Sequence, residues 1–106
     1  MPKYLLEVRY NQEGLKGVVA KGGSARVTAG TAAVESAGGT VESFYFAFGD
    51  IDVYVVADLP DNAAAASVAL AVGAGGGASV KTVPLLTPEE VDRAAKGKVD
   101  YRPPGS

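Results

Sequence analysis

The stretch FYFAFGDIDVYVVADLP, Phe44 to Pro60, alternates apolar and polar residues, turns at a Gly-Asp pair, alternates again and stops at proline. Alternation marks a half-buried strand, because successive side chains leave a strand on opposite faces. Glycine in the first central position suits a two-residue hairpin turn, so Gly49-Asp50 is read as that turn. Phe48 then opposes Ile51, Phe46 opposes Val53 and Phe44 opposes Val55. On the other face Ala47 meets Asp52, Tyr45 meets Tyr54 and Ser43 meets Val56. The first set is wholly apolar and is assigned to a core. The second is amphipathic and carries two facing tyrosines. A slip of one residue would mix the two sets, so the pattern itself specifies the register.

Working outward, Lys3 to Tyr10 (KYLLEVRY) divides in the same way, with Tyr4, Leu6 and Val8 inward and Leu5, Glu7 and Arg9 on the amphipathic side. Asn11 offers an N-cap to a helical stretch from Gln12 to Ala37. Gly22-Gly23 interrupts that stretch, and Ser24 is expected to cap its second half, where Val27, Gly30, Thr31 and Val34 form one stripe. Gly38-Gly39 ends it. Strands are then expected over Thr40 to Phe48 and Ile51 to Asp58. Pro60-Asp61 opens an alanine-rich helix whose Ala64, Val68, Ala71 and Val72 make a narrow stripe of small side chains. Gly73 to Ser79 (GAGGGAS) is read as a loose connector. Val80 to Leu86 is an edge strand, since Pro84 has no N–H to donate to a ladder. Thr87-Pro88-Glu89-Glu90 carries the signature of a capping box, and the tail KGKVDYRPPGS is polar, proline-rich and expected to be mobile.

The element order is β-α-β-β-α-β, the split βαβ or ferredoxin-like arrangement of the α+β class. Right-handed crossovers place both helices on one face of a four-stranded antiparallel sheet. The opposite face would then show Leu5, Glu7, Arg9, Ser43, Tyr45, Asp52, Tyr54, Val56, Val80 and Thr82. Such a surface is too apolar to be left in water, and a second copy of the chain is its expected cover, giving a homodimer or larger homo-oligomer. A pocket at that interface, or between sheet and helices, has room for a small molecule.

Composition narrows the function classes. The chain has 106 residues, 47% of them apolar and 21% charged, the profile of one ordinary globular domain. A net charge of −2, with the basic residues scattered singly, argues against a nucleic-acid footprint. No apolar run reaches the ~18 residues of a membrane span, and the charged residues Glu7 and Arg9 make the N-terminal segment a strand, not a leader. A cytoplasmic location is expected. There is no cysteine and no histidine. Thiolate chemistry is therefore excluded, and so are the usual neutral-pH base and the commonest metal ligand. No cofactor is expected, and any reaction would run on carboxylates, Tyr, Lys or Ser.

At Phe48-Gly49-Asp50-Ile51-Asp52-Val53, then Val55 to Asp61 and the alanine-rich helix, the chain resembles the GYD-domain family of small bacterial proteins. The likeness extends from Tyr4 to about Pro88 and takes in Gly38-Gly39 and Lys81-Thr82-Val83. The family's turn pattern is Gly, a variable residue, Tyr, Asp. Gly49 and Asp52 match it, and Ile51 stands where the tyrosine would be. The resemblance implies a ferredoxin-like protomer over residues 1–88, with 89–106 as a short helix and tail, and a dimeric α/β barrel type of assembly. It implies no reaction.

Three stretches invite a chemical reading. Asp50-Ile51-Asp52 has the look of a D-x-D metal motif, but turn chemistry accounts for Asp50 and no further oxygens lie nearby in sequence, so no metal is expected. The glycines of GAGGGAS follow a helix and precede a strand, the reverse of the polarity a phosphate loop needs, and Lys21-Gly22-Gly23-Ser24 lacks the P-loop spacing. The remaining constellation is Glu7, Arg9, Tyr45, Asp52 and Tyr54 on the open face. Arg9 can pair with Glu7 or Asp52 or hold an anionic ligand. A desolvated Glu7 or Asp52 is the candidate base of a cofactor-independent enzyme for a small hydrophobic or aromatic substrate. An interface ion pair with stacked tyrosines accounts for the same residues without catalysis and is the preferred reading.

Overall fold

The computed structural model describes residues 1–105, arranged as β1 (Lys3–Tyr10), α1 (Gln12–Lys21), α2 (Gly23–Ser36), β2 (Thr40–Phe46), β3 (Val53–Asp58), α3 (Asn62–Ala74), β4 (Ala78–Leu85) and α4 (Pro88–Ala95). The fold is α+β. Its four strands form one antiparallel sheet in the order β2-β3-β1-β4, and four helices are present among the described residues.

The hairpin register is the expected one: Phe46 opposes Val53, Tyr45 opposes Tyr54, Phe44 opposes Val55 and Ser43 opposes Val56. The turn is wider than two residues. The ladder proper stops at Phe46 and Val53, and the Ala47 N–H donates to the Asp52 carbonyl at 2.9 Å, leaving Phe48 to Ile51 as a four-residue loop. Lengthening a hairpin loop by one residue on each side leaves the register untouched. It does change the outcome for two of the three phenylalanines expected in the core: Phe48 is fully exposed at 105%, and Phe46, at the end of the ladder, is 40% exposed.

Alternation along β1 and β3 puts Tyr4, Leu6, Val53, Val55 and Ala57 on one face, where they pack with Leu59, Val34 of α2, and Ala65 and Val68 of α3. Both long helices therefore cover the same face of the sheet. Burying each larger side chain contributes about 1.5–3 kcal/mol, and the Tyr4 hydroxyl remains satisfied by donating to Asn62 Oδ1 at 2.6 Å.

The helix ends follow from local chemistry. Asn11 caps α1 by accepting from the Gly14 N–H at 3.0 Å, and Asp61 caps α3 by accepting from the Ala64 N–H at 2.8 Å. At the start of α2 the expected cap, Ser24, lies inside the helix. Gly22 takes the cap position with φ 83°, without a side-chain bond, because only glycine reverses the chain that sharply between two abutting helices. The end of α2 is a Schellman motif: Gly38 at φ 88° donates to Glu35, and Gly39 donates to Val34. α2 is seated on β2 through glycines, with the Phe44 ring against Gly30 and the Phe46 ring against Gly23.

The last strand begins two residues earlier than expected, so the connector shrinks to Gly75–Gly77. The face assignment of this strand also changes. Arg9, Glu7 and Leu5 oppose Ser79, Lys81 and Val83, which makes those three the open-face residues. Val80 and Thr82, expected on the open face, oppose Val8 and Leu6, and Val80 packs against the core. Both faces of this strand mix apolar and polar residues, so its alternation carries little directional information. Pro84 does sit on an edge strand.

α4 buries none of its residues, and the molecule extends 56 × 33 × 22 Å with a radius of gyration of 16.8 Å. A compact domain of this length has a radius near 13 Å. The helix is well made nonetheless: Thr87 Oγ1 accepts from the Glu90 N–H at 3.1 Å, and a Glu90 carboxylate oxygen accepts from the Thr87 N–H at 3.0 Å. The Thr87 backbone bond, then its hydroxyl, hold the Glu90 carboxyl below the usual glutamate range. A lowered folded-state value means that the contribution is present above the unfolded-state pKa and disappears as the pH falls through the folded value. Acid titration followed by NMR is therefore expected to release the Thr87 amide, and to fray the first turn of α4, only once the pH has fallen below the ordinary glutamate range. A flat amide profile down to pH 2 would contradict the box.

Candidate functional site

The open sheet face is built by register. Leu5 lies between Val56 and Val83, and Glu7 between Tyr54 and Lys81, while Tyr45 sits beyond Tyr54 on β2. The centre of this face is thus Leu5, Val56, Val83 and the tyrosine pair. Tyr45 is 70% and Tyr54 38% exposed, and Leu5, Val56 and Val83 are half-buried. One end of the face is closed by charge. Lys3 Nζ reaches Glu42 Oε1 at 2.9 Å and Asp58 Oδ1 at 3.0 Å, tying β1 to both β2 and β3. The Glu42 bond, followed by the Asp58 bond, raises the Lys3 amine above its ordinary value.

At the other end Glu7, Arg9, Asp50, Ile51, Tyr54 and Lys81 surround an open depression of about 430 Å³. Four of the five expected site residues share this face as side chains without an ion pair: Glu7, Arg9, Tyr45 and Tyr54. Among the described residues Arg9 has no carboxylate within 4.0 Å, so the expected pairing with Glu7 or Asp52 does not form. Asp52 is occupied elsewhere. Its Oδ2 accepts from the Tyr10 N–H at 2.8 Å, and its own N–H donates to the Val8 carbonyl at 3.0 Å, so it clamps the end of β1 to the hairpin. Asp52→Ala is expected to cost about 1–2 kcal/mol, because a half-buried backbone N–H loses its acceptor. Urea unfolding reads this directly, and no change in midpoint would mean that water replaces the carboxylate.

The sequence profile of the GYD domain matches residues 4–95, from the second residue of β1 through the end of α4. The chain belongs to the GYD-domain family. Comparison with curated proteins and with solved structures returns no match. In this GYD domain Gly49 and Asp50 are exposed in the hairpin loop and Asp52, just after it, serves as the clamp. Among the described residues no three acidic groups gather in a metal-holding arrangement, and no helix is long and apolar enough to cross a membrane.

The second concavity lies on the helix side. α1, α2 and α3 surround a cleft of about 580 Å³ that is lined chiefly by glycine and alanine, with Tyr10, Glu13, Lys21, Arg26 and Val72 as its larger side chains. Its floor is held by a backbone staple. The Asn11 N–H donates to the Gly77 carbonyl at 3.0 Å, the Asn11 amide donates to Gly76, and Gly14 lies directly against Gly77. Two stretches rejected as phosphate loops, Lys21-Gly22-Gly23-Ser24 and Gly73 to Ser79, contribute Lys21, Gly75 and Gly77 to it, whereas Arg26 was not singled out. The cleft's one signal is the presence of Arg26 and Lys21 in a segment otherwise poor in large side chains.

Proposed function

We propose that this GYD domain is a ferredoxin-like protomer that assembles with a second copy of itself through the open sheet face, in the manner of a dimeric α/β barrel. The strand order β2-β3-β1-β4, with helical crossovers from β1 to β2 and from β3 to β4, supports the ferredoxin-like description. The observation that carries the assembly is the face itself: Leu5, Tyr45, Tyr54, Val56 and Val83 are contiguous in register and uncovered by any helix of their own chain. The sheet edges favour face-to-face over edge-to-edge contact. β4 carries Lys81 and Pro84, and β2 carries a register shift between Val41 and Ser43, devices that blunt strand addition. Leu86, in the link after β4, and Val91 of α4 are also exposed and add apolar surface.

Light scattering coupled to size exclusion tests the reading. The expected mass at micromolar concentration is twice the chain mass or a larger multiple, and a single-chain mass overturns it. A second reading, a cofactor-independent enzyme acting on a small hydrophobic or aromatic substrate, is favoured by the open-face depression, which a partner would roof over Glu7, Arg9 and Tyr54. A dimer structure in which the depression is filled by partner side chains would remove it.

A further inference from the structure

Arg26 is half-buried on α2 and has no carboxylate or hydrogen-bond acceptor as partner among the described residues. It lines the helix-side cleft and also a smaller apolar cavity beneath it, about 60 Å³ in size, between the helices and the sheet. Tyr10, Val72 and Ala78 also border both spaces, so the apolar cavity, whose walls include Leu6 and Val55, adjoins the cleft and is taken as its throat. A half-buried arginine whose five donors have no acceptor in its own protein is a site for a planar anion. Lys21 adds a second positive charge at the mouth. The one acidic side chain there, Glu13, is drawn toward Lys16 at 3.8 Å. The charged side chains lining the cleft, Arg26, Lys21 and Glu13, sum to one positive charge beside the apolar throat.

We propose that this cleft binds a linear monocarboxylate of medium chain length, with its carboxylate on Arg26 and its alkyl end in the throat. The head group follows from charge: one net positive site with bidentate donors matches one carboxylate. The body follows from size. An apolar cavity of about 150 Å³ holds benzene, and at about 60 Å³ the throat is matched to the tip of a chain rather than to a ring. The room above it exists because Gly14, Gly17, Ala25, Ala29 and Ala71 leave the helices without bulk, and the Asn11 staple keeps the floor from collapsing upward. The proposal does not depend on the assembly state, since no residue of the open sheet face takes part.

Octanoate, titrated into uniformly labelled full-length protein and followed by NMR, is the test. Saturable shifts are expected at the amides of Tyr10, Arg26, Val72 and Ala78, with Tyr45 and Tyr54 unaffected. Arg26→Gln is expected to weaken octanoate by about tenfold or more, and octanol, with the same chain and no charge, is expected to bind the native protein comparably weakly. Gly17→Leu serves as an independent variant, because Gly17 lines the cleft and a Cβ added there has no atom of the protein within 4 Å. It is expected to abolish the shifts while leaving Arg26 in place. Linear, unsaturable shifts overturn the proposal. So does octanoate binding that survives both variants, octanol binding as tight as octanoate, or shifts centred on Tyr45 and Tyr54.

Discussion

Gly39→Ala is expected to destabilise the protein by about 3 kcal/mol or more, whereas Gly49→Ala leaves stability within about 0.5 kcal/mol of the native chain or slightly raises it. Gly39 is buried where the chain leaves α2 for β2. A methyl group there would overlap the Asp58 carbonyl oxygen and stand 2.7 Å from Leu59 Cδ2. Neither obstacle can yield cheaply. The Asp58 carbonyl belongs to the end of β3, and Leu59 is fully buried at the centre of the core. Gly49 is the opposite case, an exposed loop glycine with open space around it and no positive φ. Urea denaturation of the two variants, read by far-UV circular dichroism, gives the comparison, and the Gly39 variant is expected to melt roughly 12 °C or more below the native protein. Equal midpoints for the pair would mean that β2 does not enter the sheet against Asp58 and Leu59.

Gly38-Gly39 shows what local sequence can and cannot report. As a pair it announced the end of a helix, and Gly38 does so through its left-handed backbone. The separate reason for Gly39, the approach of the β3 end across the sheet, involves residues about twenty positions away. The hairpin divides in the same manner. Period-two alternation from Phe44 to Phe46 and from Val53 to Ala57 was enough for the register, because only one pairing keeps all the apolar residues on one face. Loop length was not, since a two-residue and a four-residue connection preserve identical pairing, and Phe48 falls outside the ladder only in the longer one. On β4 the pattern failed for a different reason: Val80 and Thr82 are no more apolar as a set than Lys81 and Val83, so hydropathy could not choose between the faces.

The site was legible to the extent that it depends on strand parity. Glu7, Tyr45 and Tyr54 share the open face because every second residue must. Asp52 follows parity too, but its carboxylate turns to the Tyr10 N–H, a contact across 42 positions that the Gly-Asp-Ile-Asp stretch does not encode locally. Arg26 shows the larger gap. Little in its local sequence marks it, and it lines a cleft only because glycine and alanine of α1, α2 and α3 come together around it in the fold.

Tyr54→Asp is expected to weaken self-association by about a hundredfold or more, equivalent to about 2.7 kcal/mol, and to shift the particle toward the single-chain mass. The position lies at the centre of the proposed interface, beside Glu7 on β1 and Tyr45 on β2. In a two-fold assembly every substitution enters the interface twice. An aspartate there loses the apolar area of the ring and must either stay hydrated, holding the two sheets apart, or be buried without a partner at a cost of several kcal/mol. The protomer should survive, because Tyr54 points away from the Val53 and Val55 side chains that make the core, and its circular dichroism and thermal unfolding report whether it has. Glu7 introduces a second, local effect, since a new carboxylate opposite an existing one is repulsive within the monomer. Tyr54→Lys separates the two: it removes the repulsion while retaining the penalty for burying a charge. Loss of mass in both variants, with folding intact, assigns the effect to the interface. Retention of the native oligomeric mass in both would place the contact between copies somewhere other than this sheet face.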